Sequence, residues 1–271
     1  MTDRLARELA VALELAREAG AEVVRLRTGN LGVEMKPGDE PVTIADRRAS
    51  ELILAGLARA FPEDPIISEE AAPPPGALAA PRLWFIDPID GTKDFIRGSD
   101  GFAVMIGLVE AGRPVLGVVY QPTIDRAFYA TAAGAFVRIA DDVQPLGVSG
   151  VTTAGEARLV ASASHRTADT DRIKQTLGIS DEQNVGSVGV KLCLIAMGAR
   201  DLYVNPAAKT KAWDTCAPQA ILAAAGGRLS DLFGAPLSYA ELPQRHGLVG
   251  SNGKIHDEVV GRLGSLFRHL S

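Results

Sequence analysis

Apolar residues recur at Leu5, Leu9, Ala12, Leu13, Ala16 and Val23. That helical spacing predicts one long amphipathic helix over 3–28, with Gly29 as its stop. The stretch 29–41 is rich in glycine, proline and charge and reads as a loop. Thr43 then stands where an N-cap belongs, ahead of a second helical pattern over 44–60 that Pro62 closes. Next come a short strand at 65–68, a mobile surface loop at 71–81, and a buried strand at 83–86 that runs into Asp87. A short helix is expected from about Gly91. Three apolar runs, 102–109, 114–120 and 127–130, read as an antiparallel meander. A Gly/Ser/Thr-rich linker covers 147–155. Beyond it the pattern alternates, with strands at 158–162, 184–187, 201–204, 227–230 and 247–250 and helices at 169–177, 189–198, 214–225 and 254–269. Such alternation predicts a more parallel α/β sheet. The expected organisation is an N-terminal α+β subdomain, 1–150, and a C-terminal α/β subdomain, 151–271.

Composition narrows the function. Hydrophobic residues make up 46% of the 271, enough for a substantial core. The formal net charge is −5, and no basic stretch runs long, which argues against a nucleic-acid polymer as partner. An anionic ligand would then have to be drawn by something other than net charge, and bound cations would do that. The first 27 residues are charged at every turn and do not read as a secretory signal. No apolar run approaches ~18 residues, so no membrane span is expected and the protein reads as cytoplasmic. The two cysteines, Cys193 and Cys216, sit in apolar helical stretches and read as small buried hydrophobes.

Acidic residues then stand out at the ends of elements. Asp46 follows Thr43-Ile44-Ala45, Glu69 and Glu70 follow Ile66-Ile67-Ser68, Asp87 and Asp90 flank Pro88-Ile89, and Asp214 follows Trp213. Hard divalent cations such as Mg²⁺ take oxygen ligands in octahedral geometry. Two carboxylates three residues apart can face one point, and the Ile89 carbonyl between them can add a neutral oxygen. Gly91 lets the backbone approach closely, and the Gly91 and Thr92 amides at a helix start suit a phosphate. Each feature alone has a plainer reading. Asp-Pro-x-Asp-Gly is an ordinary turn composition, Glu69-Glu70 a solvated pair, and Asp214 a helix cap. Their co-occurrence carries the case.

The segment Trp84-Phe85-Ile86-Asp87-Pro88-Ile89-Asp90-Gly91-Thr92-Lys93-Asp94-Phe95 resembles the first signature of the inositol monophosphatase-like phosphatases. Trp213-Asp214-Thr215-Cys216-Ala217-Pro218, continuing to Gly226-Gly227, resembles the second. The resemblance extends over nearly the whole chain. It implies a layered α-β-α-β-α sandwich and a magnesium-dependent, lithium-sensitive phosphomonoesterase with two to three Mg²⁺ ions per site, acting as a homodimer on a small phosphate ester. Carried over by position, Glu69, Asp87, the Ile89 carbonyl and Thr92 would serve the first ion and its water. Asp87, Asp90 and Asp214 would hold the second, and Glu69 a third, weaker one. Asp46 and Thr92 would take the proton of the attacking water.

Within that superfamily the extension Lys93-Asp94-Phe95 and the version Trp213–Pro218 resemble 3'(2'),5'-bisphosphate nucleotidases. Ala207 stands where inositol phosphatases usually carry a glutamate. Ser164, His165 and Lys191 fall where nucleotidases contact the nucleotide. Ser187 lies four residues before Lys191, where the nucleotidase pattern has three. His165 and Lys191 can equally be a loop histidine and a solvated helix-start lysine, and Lys209 and Lys211 exposed loop charges. The expected reaction is conversion of 3'(2')-phosphoadenosine 5'-phosphate to AMP and phosphate, with an inositol-1-phosphatase or a broad phosphatase that includes histidinol phosphate as the alternative.

Overall fold

A computed structural model describes residues 3–29, 31–36, 38, 40–162 and 168–268. In chain order its elements are α1 (Ala6–Arg27), β1 (Glu34–Lys36), β2 (Glu40–Val42), α2 (Ile44–Ala60), β3 (Ile66–Ser68), β4 (Arg82–Asp90), α3 (Thr92–Ile96), β5 (Ala103–Glu110), β6 (Arg113–Gln121), β7 (Arg126–Thr131), β8 (Gly134–Ile139) and β9 (Asp142–Pro145). They continue with β10 (Leu159–Ser162), α4 (Ala168–Leu177), β11 (Glu182–Val185), α5 (Val188–Ala196), β12 (Leu202–Asn205), α6 (Ala212–Ala224), β13 (Arg228–Ser230), β14 (Leu248–Ser251) and α7 (His256–Gly264).

Strands β3 to β9 form one seven-stranded sheet in sequence order, and the second sheet runs β11-β10-β12-β14-β13. The first is antiparallel except where β3 pairs parallel with β4. The second is mixed, with β10 parallel to β11 and β12, and β14 antiparallel to β12 and β13.

Side chains on alternating positions of the large sheet enter different cores. Val104, Ile106 and Leu108 pack with Ala12, Ala16, Ile53 and Leu57 of α1 and α2. Ala103 and Met105 pack with Val190 and Ile195 of α5 and Ala217 and Ile221 of α6. On the far side of the small sheet, Leu159, Leu202 and Val249 meet Ile173 of α4 and Val259 and Leu263 of α7. The order is therefore α1/α2, large sheet, α5/α6, small sheet, α4/α7, which is the α-β-α-β-α sandwich. Each fully buried Leu or Ile contributes about 1.5–3 kcal/mol, and three such cores set the layers.

Several sequence expectations are corrected. The loop 29–41 contains the β1–β2 hairpin, in which Glu34 pairs with Val42. The meander is longer than three strands, because β8 and β9 extend it. Strand β4 does not stop before Asp87 but runs to Asp90. The strand at 184–187 ends at Val185, and Ser187 is the N-cap of α5. The stretch 71–81 holds a 3-10 turn whose Ala77 is buried against Ile67, Phe85 and Cys216. The linker 147–155 is tied down, with Ser149 Oγ donating to the buried Asp201 and Asn252 Nδ2 donating to the Val151 carbonyl. The last helix spans only His256–Gly264.

Candidate active site

Helix α2 begins on a reciprocal cap. The Thr43 hydroxyl accepts from the amides of Ala45 and Asp46, and Asp46 Oδ2 accepts from the Thr43 amide at 2.8 Å and its hydroxyl at 2.6 Å. This fixes Asp46 Oδ1, which accepts from the Thr92 hydroxyl at 3.2 Å. The Ile89 carbonyl lies 3.0 Å from the same hydroxyl.

Asp87 and Asp90 come together through a bulge. In a regular strand, residues three apart point to opposite faces. Here Asp87 pairs with Met105 and Asp90 with Ala103, so β4 advances three residues while β5 advances two. The extra residue turns both carboxylates to one side. Pro88, which has no amide to donate, falls inside the bulge where none is needed. The Ile89 amide donates to Asp87 Oδ1 at 3.1 Å. Gly91 closes the segment at φ +99°, and a Cβ there would lie 3.0 Å from the Gly101 carbonyl.

Asp214 arrives from the other half of the chain. It is the third residue of α6, and its Oδ2 accepts the Lys211 amide at 2.6 Å. It is not the N-cap, a place Lys211 occupies. One oxygen each of Asp87, Asp90 and Asp214 lies within 4.8 Å of the others, the one such acidic cluster among the described residues. Glu69 continues the β3–β4 pairing, its amide donating to the Ile86 carbonyl at 3.1 Å.

The electrostatics are those of crowded acids out of water. Burial raises Asp46 to about 6 and Glu69 to about 7. Burial, then the charges of Glu69, Asp90 and Asp214, lifts Asp87 well above the ordinary carboxylate range. Asp90 and Asp214 are raised by burial as well. Such a set gains most from a cation among its oxygens. Carboxylates, a carbonyl and a hydroxyl, with no histidine or cysteine in the cluster, suit a hard ion such as Mg²⁺ rather than zinc.

Two amines adjoin the acids. Lys36, unnoticed in the sequence, donates from β1 to Glu69 Oε1 at 3.0 Å and to Glu70 Oε1 at 2.5 Å. Burial pulls this amine down, but the two glutamates outweigh it and leave it raised. Its position depends on the hairpin, and nothing in the local pattern announces it. Lys191 is not a solvated lysine. It is buried, donates to the carbonyls of Val185 and Gly186, and lies 4.9 Å from the Tyr203 ring centre. Burial lowers it to about 8. Ser164 and His165 lie outside the described residues. Ala207 and Lys209 are exposed, and Lys211 is half-buried.

A sequence profile described as the inositol monophosphatase family matches residues 5–266. The chain belongs to the inositol monophosphatase family. It is similar to a 3'(2'),5'-bisphosphate nucleotidase CysQ of Escherichia coli, 37% identical over 234 residues, 83% of this chain and 91% of the relative. It is also similar to a histidinol-phosphatase of Mycobacterium tuberculosis, 35% identical over 264 residues, 94% of this chain and 97% of the relative. Among solved structures, the inositol monophosphatase of Anabaena superposes with a TM-score of 0.80 at 27% identity, over 96% of each chain. The Thermotoga maritima IMPase gives 0.81 at 27%, over 98% of this chain and all of that one. As a member of the inositol monophosphatase family, the chain is a phosphoric monoester hydrolase. No described helix is long and apolar enough to cross a membrane.

Proposed function

We propose that this inositol monophosphatase family member uses magnesium, held by the acidic cluster, to hydrolyse a 3'(2'),5'-bisphosphate nucleotide to the 5'-monophosphate and phosphate. The convergence of Asp87, Asp90 and Asp214 oxygens within 4.8 Å is the observation that supports the chemistry. Glu69, Asp87, the Ile89 carbonyl and Thr92 would hold a first ion, Asp87, Asp90 and Asp214 a second, and Glu69 a third. When bound, magnesium lowers the pKa of its water and offsets the charge of the phosphate. The Thr92 hydroxyl takes the proton of the attacking water as it passes its own to Asp46 Oδ1, 3.2 Å away. Burial holds Asp46 at about 6, poised to accept near neutral pH. Water oxygen bonds to phosphorus, the ester P–O bond breaks, and the leaving oxygen takes a proton from a solvent water to become the ribose hydroxyl. The Gly91 and Thr92 amides would donate to the phosphate oxygens. A cytoplasmic homodimer belongs to the same reading.

The substrate assignment draws on the nucleotidase relatives at 37% identity, on Lys93-Asp94 and on Ala207. A second reading, histidinol phosphate, is favoured by the relative that matches 94% of the chain. Steady-state kinetics on adenosine 3',5'-bisphosphate, histidinol phosphate and inositol 1-phosphate, each with a magnesium titration, separates them. The nucleotide should give the highest kcat/KM. A higher value on either other ester replaces the substrate assignment, and no magnesium dependence on any of them refutes the metal site.

A further inference from the structure

Asp90 belongs to the large sheet, yet its carboxylate is held by the other half of the molecule. The Ser187 hydroxyl donates to Asp90 Oδ2 at 2.5 Å and the Gly189 amide donates to the same oxygen at 2.7 Å. The Val188 amide donates to Oδ1 at 3.2 Å. Ser187 is fully buried and held on every side. Its amide donates to the Gly101 carbonyl at 2.9 Å, and its hydroxyl accepts from the Val190 amide at 2.9 Å. Lys191 Nζ fixes the preceding turn through the Gly186 carbonyl, 2.9 Å away.

A carboxylate oxygen has two lone-pair directions. On Oδ2 both are taken, by Ser187 and Gly189. On Oδ1 one is taken and one is left. Asp90 can therefore offer a cation one oxygen and not two. That restriction matters for ion choice. Magnesium requires near-ideal octahedral geometry, whereas calcium takes six to eight oxygens and accepts carboxylates in a two-oxygen mode.

We propose that Ser187 is a positioning residue that holds Asp90 to single-oxygen ligation and thereby sets the preference of the site for magnesium over calcium. The inference rests on the reading of Asp90 as a metal ligand. Its consequence is that the small-sheet half sets ion selectivity at a carboxylate of the large-sheet half, through the first turn of α5.

The test is calorimetric titration of the ion-free full-length protein with Mg²⁺ and, separately, Ca²⁺. In Ser187→Ala the magnesium Kd should rise about tenfold, the range seen when the hydrogen-bond partner of a metal ligand is removed. The calcium Kd should stay near wild type, so the ratio of the two narrows. Ser187→Thr keeps the hydroxyl and should keep the ratio. If Ser187→Ala weakens both ions in parallel, Ser187 only caps α5 and the proposal is overturned. An unchanged magnesium Kd, or a narrowed ratio in Ser187→Thr, overturns it too. Asp90→Asn separates the two levels: wild-type binding of both ions in that variant refutes Asp90 as a ligand, and the inference goes with it.

Discussion

Asp46 Oδ2 is committed to the Thr43 cap of α2 while Oδ1 meets Thr92. Asp214 Oδ2 accepts the Lys211 amide at the start of α6, and Asp90 receives the first turn of α5. Three acids of one site are thus held by three helix N-termini, where the helix dipole also favours negative charge. The readings the sequence left open for Asp214 and for the Asp87–Gly91 turn are not exclusive. One oxygen does the local work, and the other is free to face the cluster. Which oxygen does which is a matter of side-chain orientation, and no sequence pattern carries it. Nor could spacing reveal that Lys191 turns back onto the carbonyls of its own turn. The crowding has a measurable consequence at Asp87. Burial and four neighbouring acids, Glu69, Asp90, Asp214 and Asp46, disfavour its charge, so Asp87→Asn relieves repulsion in the ion-free protein. Phosphate release should be abolished while the melting temperature in chelator stays at or above wild type. Full turnover in that variant would remove Asp87 from the site.

At the scale of elements, α6 reaches its place because the large sheet has a notch. Gly107 and Gly117 are cross-strand partners on β5 and β6. A Cβ on Gly117 would lie 2.0 Å from the Ala217 carbonyl oxygen, and one on Gly107 would lie 2.7 Å from the Ala217 amide. The helix backbone therefore rests directly on the strands, three residues after Asp214. In Gly117→Ala the helix must lift. Overpacking of this kind costs roughly 1–3 kcal/mol, a drop of several degrees in Tm. Because Asp214 moves with α6, the magnesium Kd should rise as well. The exposed Gly261 of α7 has no atom near a Cβ, and Gly261→Ala should stabilise slightly without touching ion binding. Wild-type ion affinity in Gly117→Ala would show that the notch does not place Asp214. The same elements explain what the sequence disclosed. Strands β4 to β6 are covered on both faces and read as plain apolar runs. The exposed β9 and the mostly exposed β1 bury no regular face, so no periodicity marks them. The Thr43 cap was legible because its signal is local, and the β4 bulge was not, because it is defined only against β5.

The whole molecule joins two stability demands of opposite sign. In the outermost helix layer, His256 is buried between two hydroxyls, Ser230 Oγ at 2.9 Å from Nε2 and Ser251 Oγ at 2.8 Å from Nδ1. Burial and then Arg228 lower it from 6.5 to about 4, against the opposing charge of Asp257. Its folded value lies below its unfolded one, so the stability it contributes is complete above about pH 6.5 and is lost as pH falls through 4. The site acids behave oppositely. Asp46 rises from 3.8 to about 6 and Glu69 from 4.5 to about 7, so the folded state holds their protons more tightly than the unfolded chain. Their contribution is present in acid and is lost as pH rises through 6 to 7. Over the window the three groups share, two raised acids oppose one lowered histidine, so the ion-free protein should lose stability overall as pH rises from about 4.5 to 7. Magnesium should offset that loss, most strongly at the alkaline end. At a hundredfold excess over Kd it adds about 2.7 kcal/mol, and protons compete with it less as pH rises. Melting temperatures recorded from about pH 4 to pH 8, in chelator and in magnesium, test this directly. Profiles that differ by a constant offset would mean that proton and ion do not compete for the same oxygens. A His256→Asn variant removes the one opposing contribution, so the loss between about pH 4.5 and 6.5 should steepen in chelator and in magnesium alike.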